Sequence, residues 1–266
     1  MTMPATEAAY STLTVGTGTD AREIAVLYRA AQSGTSGPML VWLGGYRSDM
    51  AGTKAIDLDG YAATRGLACL RLDYSGHGRS GGAFADGTIS RWLEESLAVI
   101  AAHPAQEVIL IGSSMGGWIS LRAVQELKKT GAPKVRGLVL IAPAPDFTID
   151  LIEPALTETE KQSLTERGYF EEPSAYSPEP NIFTKALLDD GRKNQVLTGI
   201  IETGCPVHIL QGMRDDDVPY RHALKLTEFL PADDVVLTLI RDGDHRLSRP
   251  QDLERMRAAL DEMTKG

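Results

Sequence analysis

From Pro38 onwards, short continuous apolar runs alternate with segments whose apolar residues recur at helical spacing. Runs such as "VILIG" and "LVLIA" have no polar face, which is typical of strands buried on both sides of a parallel sheet. The helical segments between them would cover both faces of that sheet. Two earlier segments, Tyr10 to Val15 and Glu23 to Ala31, are interpreted as antiparallel strands at the start of the fold. The pattern therefore predicts an α/β fold with a mostly parallel central sheet.

This alternation stops after the sixth predicted strand, between Asp146 and Gly204. The stretch contains four prolines, at positions 154, 173, 178 and 180, and only short helical patches such as "TETEKQSLTER" and "NIFTKALL". It is too long for a plain loop, so it is either a disordered insertion or a small helical lid. Its apolar residues favour the lid. They are Leu151, Ile152, Leu156, Tyr169, Phe170, Ile182 and Phe183. We therefore predict a core formed by residues 1–145 and 205–266, with a lid at residues 146–204.

Composition narrows the possible partners of this domain. The 266 residues carry a formal charge of -9, which disfavours nucleic acid and anionic membranes because their phosphates would be repelled. No apolar run approaches the roughly 20 residues of a membrane span. The N-terminal residues lack the basic start and apolar core of a secretory signal, so we expect a cytoplasmic protein. Cys69 and Cys205 are expected to be buried as free thiols, and no cysteine–histidine spacing suggests a zinc site.

The candidate chemistry begins at Gly112-Ser113-Ser114-Met115-Gly116, which fits G-x-S-x-G with Ser114 in the middle. In that motif a sharp turn from strand to helix exposes the serine hydroxyl at the top of a sheet. Neighbouring backbone packs so closely there that a Cβ at Gly112 or Gly116 would clash. Here the motif follows a predicted apolar strand and opens a predicted helix, the context that it requires. We therefore predict Ser114 as a nucleophile and give Ser113 a packing role.

A serine hydroxyl needs a base, usually a histidine held by a carboxylate. In this architecture the acid and then the histidine follow the serine along the chain, each just after a strand. His245 follows "VVLTLI" and fits the base, whereas the other four histidines lack an acid in the required order. The acid is less clear, because three carboxylates follow "PVHILQG" and another follows "LVLIAP". They are Asp215, Asp216, Asp217 and Asp146.

Acyl transfer also needs backbone donors for the developing oxyanion. The first predicted donor is the amide of Met115, directly after the nucleophile. The second comes from the loop "GGYRSD" after the strand "MLVWL", where we choose the amide of Tyr46 and keep Gly45 as the alternative.

With these residues in place, the chain resembles the serine α/β-hydrolases over nearly its whole length. "GSSMGGW" resembles their nucleophile turn, and "LDYSGHGRSGG" resembles the glycine-rich segment after their fourth strand. "QGMRDDDVP" resembles the pattern H-G-x-x-D-x-x-V-P, which implies that Asp215 is the acid. The chain departs from the family at Gln211 and Gly44, where histidine is common. We expect the change at Gln211 to matter little, because that position carries no chemistry in the pattern.

The resemblance implies the α/β-hydrolase fold, with a small helical lid inserted after the sixth strand, and a reaction that needs no cofactor or metal. Several motifs together are similar to the branch of the mitochondrial palmitoyl-protein thioesterase and acyl-glucuronide esterase. This implies hydrolysis of a small-molecule or protein-linked acyl ester or thioester. Other reactions of the same three residues stay open, namely carbon–carbon bond hydrolysis, peptidase action and perhydrolysis. A receptor of the same fold that binds ligands without turnover is a further alternative.

Overall fold

The computed structural model describes residues 10–174, 179–232 and 234–264. The first nine residues of the predicted core and residues 175–178 of the predicted lid, including Pro178, lie outside the described residues. None of the helices in the described part of the chain is both long and apolar enough to cross a membrane.

An eight-stranded sheet forms the centre of the protein. Its strands are β1 (Ser11–Val15), β2 (Arg22–Arg29), β3 (Met39–Leu43), β4 (Cys69–Leu72), β5 (Glu107–Ser113), β6 (Lys134–Ile141), β9 (Val207–Gly212) and β10 (Val235–Ile240). They are ordered β1-β2-β4-β3-β5-β6-β9-β10. The pairings of β1 with β2 and of β2 with β4 are antiparallel, and the other five are parallel. The predicted antiparallel strands at the start of the fold and the mostly parallel sheet are both confirmed.

Five helices cover the two faces of this sheet: α1 (Thr53–Arg65), α2 (Ile89–Ala102), α3 (Met115–Thr130), α7 (Tyr220–Glu228) and α8 (Pro250–Thr264). Buried residues of α2, α3 and α7 belong to one apolar cluster, and those of α1 and α8 belong to the other. The strand β3 shows why the apolar runs in the sequence are continuous. Met39, Val41 and Leu43 face the first cluster, whereas Leu40 and Trp42 face the second. Both faces are therefore apolar, as parallel strands between two helical layers require.

The segment between β6 and β9 has structure of its own. After a π-helical turn at Thr148–Ile152 come α4 (Glu153–Ala155), α5 (Glu158–Glu166), the strands β7 (Tyr169–Glu172) and β8 (Asn181–Thr184), and α6 (Lys185–Lys193). The strands β7 and β8 pair antiparallel in a small separate sheet. The helical patches predicted α5, which starts with a capping box between Thr157 and Glu160. They do not predict the two strands, because the patch "NIFTKALL" indicates a helix at residues 181–184. We call this region the β6–β9 segment.

Candidate active site

Ser114 lies at the sharp turn from β5 into α3. Its backbone has φ 54° and ψ −119°, a conformation that a residue with a side chain rarely adopts. Backbone hydrogen bonds hold the turn: the Ser114 amide donates to Ile141 over 2.9 Å, and its carbonyl accepts from Gly117 over 2.8 Å and from Ala144 over 3.1 Å. The strand and helix therefore fix the direction of the Ser114 side chain.

The close packing around this turn accounts for the two flanking glycines. A Cβ on Gly116 would lie 2.0 Å from the carbonyl oxygen of Leu43, and one on Gly112 would lie 2.4 Å from that of Gly116. Neither contact can be relieved by a rotamer change, because both partners are backbone atoms. The helix α3 can therefore approach β3 and β5 only if both positions are glycine.

His245 connects Ser114 to a buried carboxylate. Its Nε2 lies 3.1 Å from the Ser114 hydroxyl, and its Nδ1 lies 2.8 Å from Oδ2 of Asp215. A carboxylate only accepts, so Nδ1 carries the proton and Nε2 is free to accept from the serine. The Asp215 side chain is fully buried, whereas the imidazole is 16% exposed. The structure thus brings Ser114, His245 and Asp215 into one hydrogen-bonded chain.

The Asp215 carboxylate is held by donors on both of its oxygens. Oδ1 accepts from the amides of Val218 over 2.7 Å and Asp217 over 3.0 Å. Oδ2, the oxygen bound to His245, also accepts from the side-chain amide of Gln211 over 3.0 Å. The side chain of Gln211 thus contacts the predicted acid, a contact that the sequence pattern did not indicate.

Backbone and side-chain contacts attach the His245 loop to its surroundings. The amide of Arg214 donates to the carbonyl of Gly243 over 2.9 Å, which joins the loops that carry Asp215 and His245. The ammonium group of Lys54 on α1 donates a hydrogen bond to the carbonyl of Arg246, the residue directly after His245. Burial lowers the pKa of Lys54 to about 8. Sequence reasoning missed Lys54, because nothing in helix α1 signals contact with a loop almost 200 residues later.

The other three candidate acids make no hydrogen bond to His245. Asp216 and Asp217 have exposed side chains at the rim of the site. Asp146 is buried at the start of the β6–β9 segment, where its carboxylate accepts from the amides of Val196 and Leu197 at the end of that segment. Burial raises the pKa of Asp146 to about 6. Of the four candidates, Asp215 is the one whose carboxylate is hydrogen-bonded to His245.

The loop after β3 passes directly over the serine turn. A Cβ on Gly45 would lie 3.2 Å from both the Ser113 carbonyl oxygen and the Ser114 Cβ, so a glycine permits this approach. The next residue is Tyr46, whose amide makes no hydrogen bond within the described residues. Met115 begins α3, and the amide of a first helical residue has no acceptor in its own helix. Both predicted oxyanion amides are thus available for a ligand.

His77, in the glycine-rich segment "LDYSGHGRSGG", supports that loop. Its Nε2 accepts from the amide of Arg47 over 3.2 Å, and its Nδ1 lies 3.2 Å from the Ser75 carbonyl. Arg47 has φ 55°, so this bond stabilises an unfavourable backbone conformation next to Tyr46. Burial lowers the pKa of His77 to about 4, which keeps the ring neutral and able to accept. Sequence reasoning missed this role of His77.

The remaining histidines lie away from Ser114. His208 is a buried strand residue, and its Nε2 lies 3.1 Å from a Glu262 carboxylate oxygen. His222 is bound to the carbonyl of Pro145, and burial lowers its pKa. His103 bonds to the Val99 carbonyl at the end of α2.

A cavity of about 430 Å³ opens over Ser114 and His245. Its volume lies within the range of small-molecule sites. The β6–β9 segment contributes most of its apolar wall through Phe147, Leu151, Ile152, Ala155 and Phe183. Polar and charged side chains lie around it: Arg47, Glu172, Ser174, Asn181, Asp216 and Asp217.

Not every apolar residue expected in the lid lines this cavity. Leu156 and Ile182 line other clefts, and Phe170 is buried against Phe183. Tyr169 packs against Arg167.

One group of side chains in this site has metal-ligand geometry. Single ligand atoms of Asp215, Asp217 and His245 lie within 4.8 Å of one another. Both Nδ1 of His245 and the Asp215 oxygens already have hydrogen-bond partners in the protein. The arrangement therefore favours a buried hydrogen-bond network over an ion site.

Both free cysteines are buried, in agreement with the prediction. Cys69 lies on β4, where burial raises the pKa of its thiol to about 12.

Residues 33–258 match the model of the alpha/beta hydrolase family, which covers most of the chain. The chain belongs to the alpha/beta hydrolase family. This hydrolase is 30% identical to the mitochondrial palmitoyl-protein thioesterase ABHD10 of Mus musculus over 227 residues, covering 85% of its own length and 75% of the mouse protein. The human protein of the same name is also 30% identical over 227 residues, 72% of its length. The branch inferred from the motifs is therefore confirmed.

Two solved structures support the same assignment. A putative hydrolase from Agrobacterium vitis S4 superposes with a TM-score of 0.93 at 64% identity, over 97% of this hydrolase and 99% of that chain. The mouse alpha/beta hydrolase domain-containing protein 10 superposes with a TM-score of 0.83 at 28% identity, over 96% and 98% of the two chains.

Proposed function

We propose that this hydrolase cleaves acyl esters or thioesters by way of an acyl-enzyme on Ser114. The observation that carries the proposal is the hydrogen-bonded chain from Asp215 through His245 to Ser114, which ends at a cavity with an apolar wall. A nucleophile, a base and an orienting carboxylate in this order form a catalytic triad.

In the first half of the reaction, Ser114 attacks the acyl carbonyl carbon. Nε2 of His245 takes the hydroxyl proton as the Oγ–carbon bond forms. Asp215, bound at Nδ1, stabilises the imidazolium. The same imidazolium then gives its proton to the leaving alcohol or thiol as the bond from the acyl carbon breaks. The acyl group is now an ester of Ser114.

In the second half, water replaces the leaving group. His245 takes a proton from water, and the hydroxyl oxygen bonds to the acyl carbon. The proton returns to the Ser114 oxygen as the acyl–serine bond breaks, and the carboxylic acid is released. In both halves the amides of Tyr46 and Met115 stabilise the negative charge on the carbonyl oxygen.

The apolar wall supports an acyl substrate. Phe147, Leu151 and Phe183 would contact a hydrocarbon chain and exclude water from it. The mouse and human relatives are named palmitoyl-protein thioesterases, which supports a thioester or ester as the bond that is cleaved. In this proposal the β6–β9 segment is the lid of the acyl site, and the acyl donor is either a small molecule or a protein.

Labelling with a fluorophosphonate tests the nucleophile. The expected result is labelling of the wild type and of Ser113→Ala, but not of Ser114→Ala. Ser113 is the matched control because it is the neighbouring serine at the end of β5. Failure to label the folded wild type would favour the ligand-binding receptor instead.

Substrate turnover then identifies the reaction. We expect kcat/KM to be highest for aliphatic acyl thioesters or aryl esters in a panel of increasing chain length. Higher turnover of a peptide or a diketone, or of peroxide with a carboxylic acid, would assign the triad to peptidase action, carbon–carbon bond hydrolysis or perhydrolysis. Equal turnover at every chain length would contradict the acyl site.

A further inference from the structure

The side-chain amide of Gln211 is completely buried beside Asp215. Gln211 lies near the end of β9, four residues before the acid. Its Nε2 lies 3.0 Å from Asp215 Oδ2, 3.0 Å from the Val218 carbonyl and 3.1 Å from the Gly212 carbonyl. All three neighbours only accept, so the nitrogen end of the amide must face them. Gln211 is therefore a donor to the acid.

The two oxygens of Asp215 are supported by different parts of the protein. The amides of Val218 and Asp217 bind Oδ1, so the loop backbone fixes the position of the carboxylate. Oδ2 is shared between Nδ1 of His245 and Nε2 of Gln211. Loss of the Gln211 donor would leave the carboxylate in place, but would concentrate more negative charge on the oxygen that faces the imidazole.

Other charged groups surround this pair from several elements. They are Asp216 and Asp217 on the acid loop, Asp244 and Arg246 beside His245, Lys54 on α1, and Arg47 and Glu172 across the cavity. A substitution confined to position 211 leaves all of them unchanged. It therefore removes the neutral donor of the His245–Asp215 pair, together with its bonds to the Val218 and Gly212 carbonyls, and changes no charge.

We propose that Gln211 is a positioning residue for the reaction, whose donated hydrogen bond to Asp215 lowers the pH at which His245 becomes available as a base. The inference rests on the proposed function, because it assigns Gln211 a role through the proposed acid. The physical reason is competition for Oδ2: a carboxylate that accepts a second hydrogen bond stabilises the imidazolium less, so His245 gives up its proton at lower pH.

The test is the pH profile of kcat/KM from about pH 5 to about pH 9 for Gln211→Met and Gln211→Leu, which have similar volume but no donor. We expect the midpoint of the acidic limb to rise by about 0.5 to 1 pH unit in both. The plateau at high pH should stay within about threefold of the wild type, because backbone amides still hold the carboxylate. An unchanged or lowered midpoint would overturn the inference, and so would failure of both variants to fold.

Asn194→Leu is the matched control for a lost buried amide. Asn194 is buried, and its amide nitrogen bonds to Ser90 and Asp190, away from the triad. This variant should have a lower Tm and an unchanged acidic limb. Fluorophosphonate labelling of the wild type separates two failures. Without labelling at Ser114 the proposed function fails, whereas labelling with unshifted midpoints rejects only the role of Gln211.

Discussion

The hydroxyl of Tyr46 donates a hydrogen bond to the carbonyl of Ile182, and its ring stacks on Phe183 with centroids 5.3 Å apart. Tyr46 lies in the loop after β3, and the other two residues lie on β8 of the β6–β9 segment. The residue whose amide is the proposed oxyanion donor is thus attached by its side chain to the segment that covers the cavity. Displacement of β8 would disturb the Tyr46 backbone, which couples the cover of the site to its chemistry.

Tyr46→Phe should weaken this connection and preserve the ring and the amide. We expect kcat/KM to fall by about three- to tenfold, because a lost hydrogen bond costs about 1 kcal/mol and allows the loop and β8 to move apart. Hydrogen exchange at residues 181–184 should become faster. Mass spectrometry of the exchanged protein, together with steady-state kinetics, provides both measurements.

Tyr61→Phe is the control for that substitution. The Tyr61 hydroxyl donates to Asp261 over 2.8 Å between α1 and α8, on the opposite face of the sheet. This variant loses a similar bond, but exchange at residues 181–184 and turnover should match the wild type. If Tyr46→Phe behaved in the same way, the connection between oxyanion loop and cover would have no functional effect.

Removal of the nucleophile or the base should nearly abolish turnover. Ser114→Ala and His245→Ala are each expected to lower kcat by at least about 10³-fold. The double variant should be no worse than either single one, because neither group works without the other. Steady-state kinetics on a short aryl ester measures all three. His103→Ala, which changes a histidine at the end of α2, should keep normal turnover; near-normal turnover of His245→Ala would instead disprove the assigned base.

The three adjacent carboxylates of the acid loop should differ sharply in importance. Asp215→Asn is expected to lower kcat by about 10³-fold, because an amide would favour the wrong tautomer of His245. Asp216→Asn and Asp217→Asn should stay within about threefold of the wild type, since both side chains are exposed and it is the Asp217 amide that binds Asp215. A large loss at position 216 or 217, measured by the same kinetics, would move the acid to that residue.

The central sheet and the serine turn could be predicted because each depends on neighbouring residues. A run such as Met39–Leu43 is apolar at every position, which already implies burial on both faces. At the serine turn, Gly112 and Gly116 lie within two residues of Ser114, and the clashes that they avoid arise wherever this strand meets this helix. Periodicity and short motifs contain that information.

The β7–β8 pair could not be predicted in this way. Helical spacing in "NIFTKALL" is real, but the helix α6 begins only after Thr184, whose side chain caps it. Residues 181–184 instead form a strand, because Phe183 pairs with Phe170 and stacks on Tyr46. Contacts between residues far apart in the chain override local preference here. The same reason hides Gln211 and His77, whose roles depend on which loops meet at the sheet edge.

Asp146 should make the stability of the protein depend on pH in a specific window. Burial raises the pKa of this carboxyl from 3.8 to about 6 in the folded protein. Between these values the folded protein binds more protons at this site than the unfolded chain, so its contribution to the free energy of unfolding decreases as pH rises. The decrease is at most about 3 kcal/mol, and it is complete above about pH 7. Asp146→Asn lacks this titration.

Urea unfolding of the wild type and Asp146→Asn at several pH values from about 4 to about 8 measures the effect. The variant loses one acceptor for the amides of Val196 and Leu197, which costs the same free energy at every pH. The difference between the two proteins should therefore shift in favour of the variant as pH rises through the window, and should be constant above it. Parallel stability curves would show that the folded protein does not favour protonated Asp146. The pairing of this carboxylate with the end of the β6–β9 segment would then be independent of pH.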